Sequence, residues 1–407
     1  MEHTVGLYRC HDYDVNAILQ IFRRATQMLN FDTKAFRGKT VLLKPNMLGA
    51  YPPEMGITTP PAFVEAAVIL FKELGSIVWV GDSPNGIFPL DCVWERTGIR
   101  DVCKRHGAIE KQFEREGGVI RDGVLIAKPV LEADFLINLP KFKTHGLTVL
   151  TAATKNLYGC VPGLQKTRYH SDLTDRMEFA KLLVKVAEFS KPAISFVDAI
   201  VAMEGTGPSA GNLVKLNTII AGRNHHAVDS ICANLIRLDP SDVDTIAAAQ
   251  SMGVWKSSNK ITLVGEDIES CRPPSFKLPA TFTKGMRDWW ISRFVIGRIW
   301  GNISIKPKIN KKSCKRCGLC IKACPVEAIS SSAKLEAAEL GCDNVPKNYL
   351  KISPPHIINE KCVMCYCCHE ICPHKAIALN ESWAVRIGRF FGEQRISNLK
   401  KRGMLYE

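Results

Sequence analysis

No stretch of this 407-residue chain reaches the run of about eighteen apolar residues that a membrane-spanning helix needs. The first ten residues, "MEHTVGLYRC", lack the basic start and apolar run of a secretory leader. No G-x-G-x-x-G turn, H-E-x-x-H or H-x3-H pattern occurs, so dinucleotide and zinc-peptidase readings have no motif behind them. Net charge is missing from residues 1–271, where 30 Lys and Arg face 30 Asp and Glu. Cysteine is sparse there too, because ten of the 16 lie within residues 314–372. That crowding in a long chain opposes a secreted disulfide scaffold and leads us to expect a reduced, cytoplasmic protein with a metal centre.

The cysteines carry the strongest pattern. Cys314, Cys317, Cys320 and Cys324-Pro325 read C-x2-C-x2-C-x3-C-P, and Cys362, Cys365, Cys368 and Cys372-Pro373 repeat it. Both runs then return to Ala-Ile. A cubane needs three thiolates from one tight loop and a fourth from elsewhere, whereas zinc modules seldom use triply spaced cysteines. Residues 310–380 resemble a bacterial-type two-[4Fe–4S] ferredoxin, a small α+β domain. That resemblance implies crossed ligation: Cys314, Cys317, Cys320 and Cys372 on one cluster, and Cys362, Cys365, Cys368 and Cys324 on the other. The 37 residues between Cys324 and Cys362 exceed what a compact ferredoxin needs and read as an insertion. Cys342 and Cys367 are left as spare thiols.

All of the +14 charge falls in residues 272–407, with 24 basic against 10 acidic side chains. Two oxidised clusters with their thiolates would lower it to roughly +10. Such a surface suits an acidic redox carrier or partner oxidoreductase. Nucleic acid ranks last, because the basic residues are not interleaved with aromatic stacking platforms.

Residues 1–270 alternate short Val/Ile-rich runs ("TVLLKPN", "SIVWVGDS", "ADFLINLP", "AISFVDAI") with helical stretches such as "PAFVEAAVILFKELG" and "DRMEFAKLLVKVAEFS". This predicts an α/β domain with a mainly parallel sheet and helices on both faces. Residues 271–309 form a Pro-rich linker and a basic-aromatic connecting segment, "MRDWWISRFVIGRIW", and residues 381–407 a basic tail.

In open α/β sheets ligands sit beyond the carboxyl ends of the strands. Those ends deliver Lys44 and Asn46; Asp82, Ser83 and Asn85; Asn138, Lys141, Lys143 and His145; and Asp198 and Glu204. The lysines, with Lys155, Lys166 and Arg168, suggest a small anionic ligand. The three glycines of "EGTGPSAG" (204–211) could offer it backbone N–H groups. His145 and His170, with Asp82, Asp198 or Glu204, could hold an additional divalent metal. His170, in "KTRYHSD", is expected on a mobile loop that closes over the ligand.

The motifs "KPN", "NLPKFKTH", "ATKNLYGCVPG", His170, "DAIVAMEGTGPSAG" and "AVD" together resemble the family known as domain of unknown function 362, over about residues 4–265. Its members often carry a fused ferredoxin unit. The resemblance marks Lys44, Asn46, Asp82, Lys141, His145, Lys155, Asn156, His170, Asp198 and Glu204 as family positions and brings no reaction with it. "NHHAVD" departs from the family's Asp-Pro-Val-Ala-Val-Asp, so His225 and His226 are read as helix-start packing.

Together these readings predict an iron–sulfur oxidoreductase. Electrons would pass through two clusters to a ligand held by Lys44, Asn46, Lys141, Lys143, Lys155, Asn156 and His170. His145, Asp82, Asp198 or Glu204 would move protons. The alternative is a non-catalytic electron-transfer or maturation subunit serving another enzyme.

Overall fold

The computed structural model describes residues 3–256, 258, 260–282, 305–331 and 354–380. The connecting segment at 286–300, most of the insertion between the cysteine runs and the tail 381–407 lie outside these residues.

The front domain is built on a ten-stranded sheet. Its strands are β1 (Thr4–Arg9), β2 (Thr40–Pro45), β3 (Ile77–Asp82), β4 (Ile109–Gln112), β7 (Phe135–Leu139), β8 (Lys141–His145), β9 (Val149–Thr151), β10 (Ile194–Glu204), β11 (Asn212–Gly222) and β12 (Thr262–Gly265). A separate hairpin, β5 (Gly118–Arg121) and β6 (Val124–Ala127), stands beside it. The order β12-β1-β11-β10-β7-β2-β3-β4 is parallel from β10 through β7, β2 and β3 to β4. The β10–β11 and β11–β1 pairs are antiparallel, so the sheet is mostly parallel but mixed.

Alternation along β2 shows both faces covered. Leu43 packs with the helices Val15–Met28 and Pro61–Glu73, and Leu42 with the helix Arg176–Ser190. Helix starts follow their caps. Asp14 accepts from Ala17 N and Asp175 from Met177 N, while Pro61 opens its own helix at the first position.

The cysteine-rich module has two short hairpins, β13 (Lys306–Ile309) with β16 (Ile377–Asn380) and β14 (Ile329–Ser330) with β15 (His356–Ile357). Two short helices, Leu319–Lys322 and Cys367–Ile371, lie with them. The module packs on the front domain. Leu319, Ala323 and Ile371 join the core containing Tyr51 and Phe88, while Tyr366 and Leu379 join the one containing Leu147 and Tyr158. Among the described residues no helix is long and apolar enough to cross a membrane.

Candidate functional site

Four thiols line each of two cavities in the module. One is lined by Cys324, Cys362, Cys365 and Cys368. The other is lined by Cys314, Cys317, Cys320 and Cys372. Each set therefore takes its fourth cysteine from the other run. The Ala-Ile repeat has a physical reason as well: Ala328 N donates to Cys324 Sγ (3.1 Å) and Ala376 N to Cys372 Sγ (3.3 Å). N–H groups aimed at sulfur suit thiolates that hold iron, so these residues fit iron–sulfur clusters.

At the carboxyl edge of the sheet the charges come in pairs. Lys44 Nζ lies 2.8 Å from Asp82 Oδ1, and both side chains are almost wholly buried. Asp82 also accepts from Met47 N (2.7 Å) and Ser83 N (2.9 Å). Gly159 is required beside this pair, because a Cβ there would collide with Asp82 Oδ1 and Lys44 Nζ. Lys141 Nζ lies 2.6 Å from Asp198 Oδ2 and donates to Tyr13 Oη at 2.7 Å. The Tyr13 hydroxyl in turn lies 3.0 Å from both Asp198 oxygens. Burial pushes the Lys141 ammonium down and Asp198 opposes the shift, while burial and then Asp198 drive the Tyr13 phenol up.

An amide chain runs beside the first pair and meets it where Asn156 donates to Lys44 O (3.3 Å). Lys143 donates to Asn46 Oδ1 (3.1 Å) and Ile57 O (2.6 Å). Asn46 donates to Asn156 (2.9 Å), and Asn156 to Asn138 (2.8 Å). Burial lowers Lys143 to about 7, only partly offset by Glu370.

The third group sits where the module meets the crevice. His145 Nδ1 accepts from Leu147 N (3.0 Å) and Thr148 N (3.3 Å), which leaves the ring proton on Nε2. That nitrogen lies 3.1 Å from Oε1 of Glu370, which the helix Cys367–Ile371 brings in from the module. The approach is off line, and Oε1 is left without a hydrogen-bond partner. Burial alone would raise Glu370, but His145 and Lys155 hold it down to about 2. Lys155 is pushed down by burial and pulled back by Glu370; its ammonium lies over the Tyr158 ring, 4.9 Å from the centroid. His170 is lowered to about 3 by burial, and its Nδ1 is also unpartnered.

Several expectations change on the structure. His170 is not on a mobile loop: it lies in the helix Gln165–Asp172, stacked 4.4 Å from Phe179, because its polar neighbours face outward while the ring fills the core. Glu204 is drawn away from the crevice, its carboxylate accepting from Lys277 N (2.7 Å). The "EGTGPSAG" loop does not cradle an anion. Thr206 O and Gly211 O face His369 and Lys375 of the module, and Gly205 N and Gly207 N already donate to Lys277 O and Thr144 Oγ1. A Cβ at Gly207 would collide with Thr144 O, which is why glycine stands there. Lys166 donates to Ser83 Oγ and Val161 O, Asn85 closes its own turn on Ile87 N, and Arg168 is exposed. His145 and His170 do not assemble a ligand set with Asp82, Asp198 or Glu204. Among the described residues the group of three donors within 4.8 Å of one another lies elsewhere, at Glu188, His225 and His226.

Two residues of the crevice escaped sequence reading. Tyr13 lies on the loop before the first helix, and Glu370 is hidden inside "CYCCHEICP", a stretch read for its cysteines. The one available signal was a carboxylate between two cluster ligands, where an added negative charge is costly unless something positive faces it.

Residues 41–234 match the family described as Domain of unknown function (DUF362), and residues 307–330 match the 4Fe-4S binding domain. The chain is similar to a thylakoid-associated protein of Synechocystis sp., 29% identical over 292 residues that cover 69% of this chain and 88% of that protein. A 73-residue segment is 33% identical to an uncharacterized polyferredoxin-like protein of Methanocaldococcus jannaschii, covering 18% of this chain and 40% of that one. The lactate racemase apoprotein from Thermoanaerobacterium thermosaccharolyticum aligns over 58% of each chain, with TM-score 0.41 and 11% identity. The chain thus carries a DUF362 domain and a ferredoxin-type iron–sulfur domain.

Proposed function

We propose that this iron–sulfur protein carries two [4Fe–4S] clusters, one on Cys314, Cys317, Cys320 and Cys372 and one on Cys362, Cys365, Cys368 and Cys324, and passes electrons to a small anionic ligand in the crevice. The clusters would supply one-electron transfer. The reading is carried by one observation: the helix bearing Cys368 also brings Glu370 against His145. Lys155 is the cation left for an anion, since Lys44, Lys141 and Lys143 are engaged within the protein. His145, with its proton on Nε2, and Glu370 form the pair able to move a proton there. Asp82 and Asp198 position the lysines and do not act as acids. His145 is buried, whereas Lys155 and Glu370 keep partial exposure.

Exposed Lys308, Lys311, Lys312, Lys315, Arg316 and Lys322 surround the first cysteine run, which suits docking of an acidic electron carrier. The engaged lysines favour a second reading, a non-catalytic electron-transfer subunit. Anaerobically purified protein separates the two. We expect about eight iron and eight sulfide per chain and a small anion released on denaturation. Lys155→Met should lose the anion and keep the iron. Full iron with no anion bound by the wild type leaves only the subunit reading, and stoichiometric zinc without sulfide removes both.

A further inference from the structure

The structure gives the two histidines of "NHHAVD" a shared partner. His225 Nε2 lies 3.2 Å and His226 Nε2 3.1 Å from the same atom, Glu188 Oε1. The ring centroids are 4.2 Å apart. Successive residues inside a helix point about 100° apart, so neighbouring histidines there seldom converge. Here they occupy the first two positions of the helix His225–Leu235, where Asn224 accepts from His226 N and Ala227 N. Glu188 comes from the last turn of the helix Arg176–Ser190. From this geometry we infer that Glu188, His225 and His226 form a divalent transition-metal site, distinct from the cysteine cavities and from the lysine–aspartate pairs of the crevice.

The donor chemistry selects the ion. Two imidazole nitrogens and one carboxylate oxygen suit zinc, cobalt, nickel or copper, whereas magnesium and calcium take oxygen ligands. Ligand atoms about 2.05 Å from a tetrahedral ion lie roughly 3.3 Å from one another. The two nitrogen–oxygen separations are already within a few tenths of an ångström of that. The side chains of His225 and His226 are 10% and 2% exposed, so both ring nitrogens are largely shielded from solvent. Glu188 is 42% exposed, so the remaining coordination positions face water. Three protein ligands with an open position is the arrangement of a zinc ion that can take an outside ligand.

The test uses full-length protein with its iron–sulfur clusters loaded and no histidine tag, treated with EDTA under anaerobic conditions. Zinc is then titrated by calorimetry, and cobalt by electron paramagnetic resonance against the silent oxidised clusters. We expect one equivalent of either ion. Glu188→Gln and His225→Gln should each weaken binding by at least about tenfold, the loss that outer-shell changes alone can cause. Unchanged iron content and melting temperature in Glu188→Gln, whose side chain is partly exposed, would certify its fold if His225→Gln proves unstable. No zinc or cobalt uptake by the wild type, or equal uptake by wild type and Glu188→Gln, overturns the site.

Discussion

In the iron–sulfur module three thiols of each set lie within seven residues, Cys314–Cys320 and Cys362–Cys368. In the crevice Lys141 finds Asp198 57 positions ahead and Tyr13 128 behind. The first site is written largely in local spacing, because a tight loop brings three of its four thiols together. The second exists only after the sheet has formed, because Lys141 opens β8, Asp198 lies within β10 and Tyr13 sits on the loop before the first helix. The two regions should therefore fail differently.

The largest expected effect breaks the local site. Cys324→Ala should remove about half the iron, and the loss should come from the cluster of Cys362, Cys365 and Cys368 although Cys324 belongs to the other run. Metal analysis with resonance spectra of the survivor checks this; loss of the cluster nearer in sequence would refute the crossed arrangement.

Next comes the assembled site. Lys141→Ala leaves Asp198 charged and buried with only the Tyr13 hydroxyl and the Ile200 N–H, so unfolding free energy should fall by about 3–5 kcal/mol, read from denaturant midpoints. Lys141→Ala is thus a fold-damaging change rather than a clean probe of ligand binding.

Glu370→Gln tests the junction between the regions. It keeps the shape but removes the negative charge beside Lys155 and His145, so the folded state should lose stability. Iron content should stay constant while the denaturation midpoint drops. An unchanged midpoint would mean that the contact contributes nothing to docking.

The smallest effect is a slope. Burial holds Lys143 near 7, well below an unfolded lysine, so between about pH 7 and 10 the unfolded chain binds the extra proton. Stability should therefore rise with pH across that window. Lys143→Met should flatten the rise and leave the part due to Lys166, which burial lowers to about 8, and to Lys141 and Lys155, which burial also lowers. Parallel pH profiles for the two proteins would contradict a neutral buried Lys143.

This contrast also explains what could be read from the chain. The ligand set was visible in spacing, and the mostly parallel sheet in the alternation of Val/Ile runs with capped helices. The polar residues near strand ends were recognisable in the sequence, and the structure pairs Lys44 with Asp82 and Lys141 with Asp198 and sets His145 against Glu370. Their state was not visible. A lysine at a strand end looks the same whether it awaits an anion or pairs with a carboxylate from another strand. Glycines mislead similarly: those of 204–211 looked like an anion cradle but permit close packing on Thr144 and the module. Glu188 lies 38 positions before His226, and only the packing of two helices unites it with the histidine pair.

Leu319, Ala323 and Ile371 belong to the same apolar core as the helices of the front domain. Anything bound by the folded module but not by the unfolded chain adds its binding free energy to the stability of that whole core. A chain that has lost its iron would undock an apolar face and expose it to proteases. Its lifetime in the cell would then report iron supply and oxidative damage, with no dedicated sensor required.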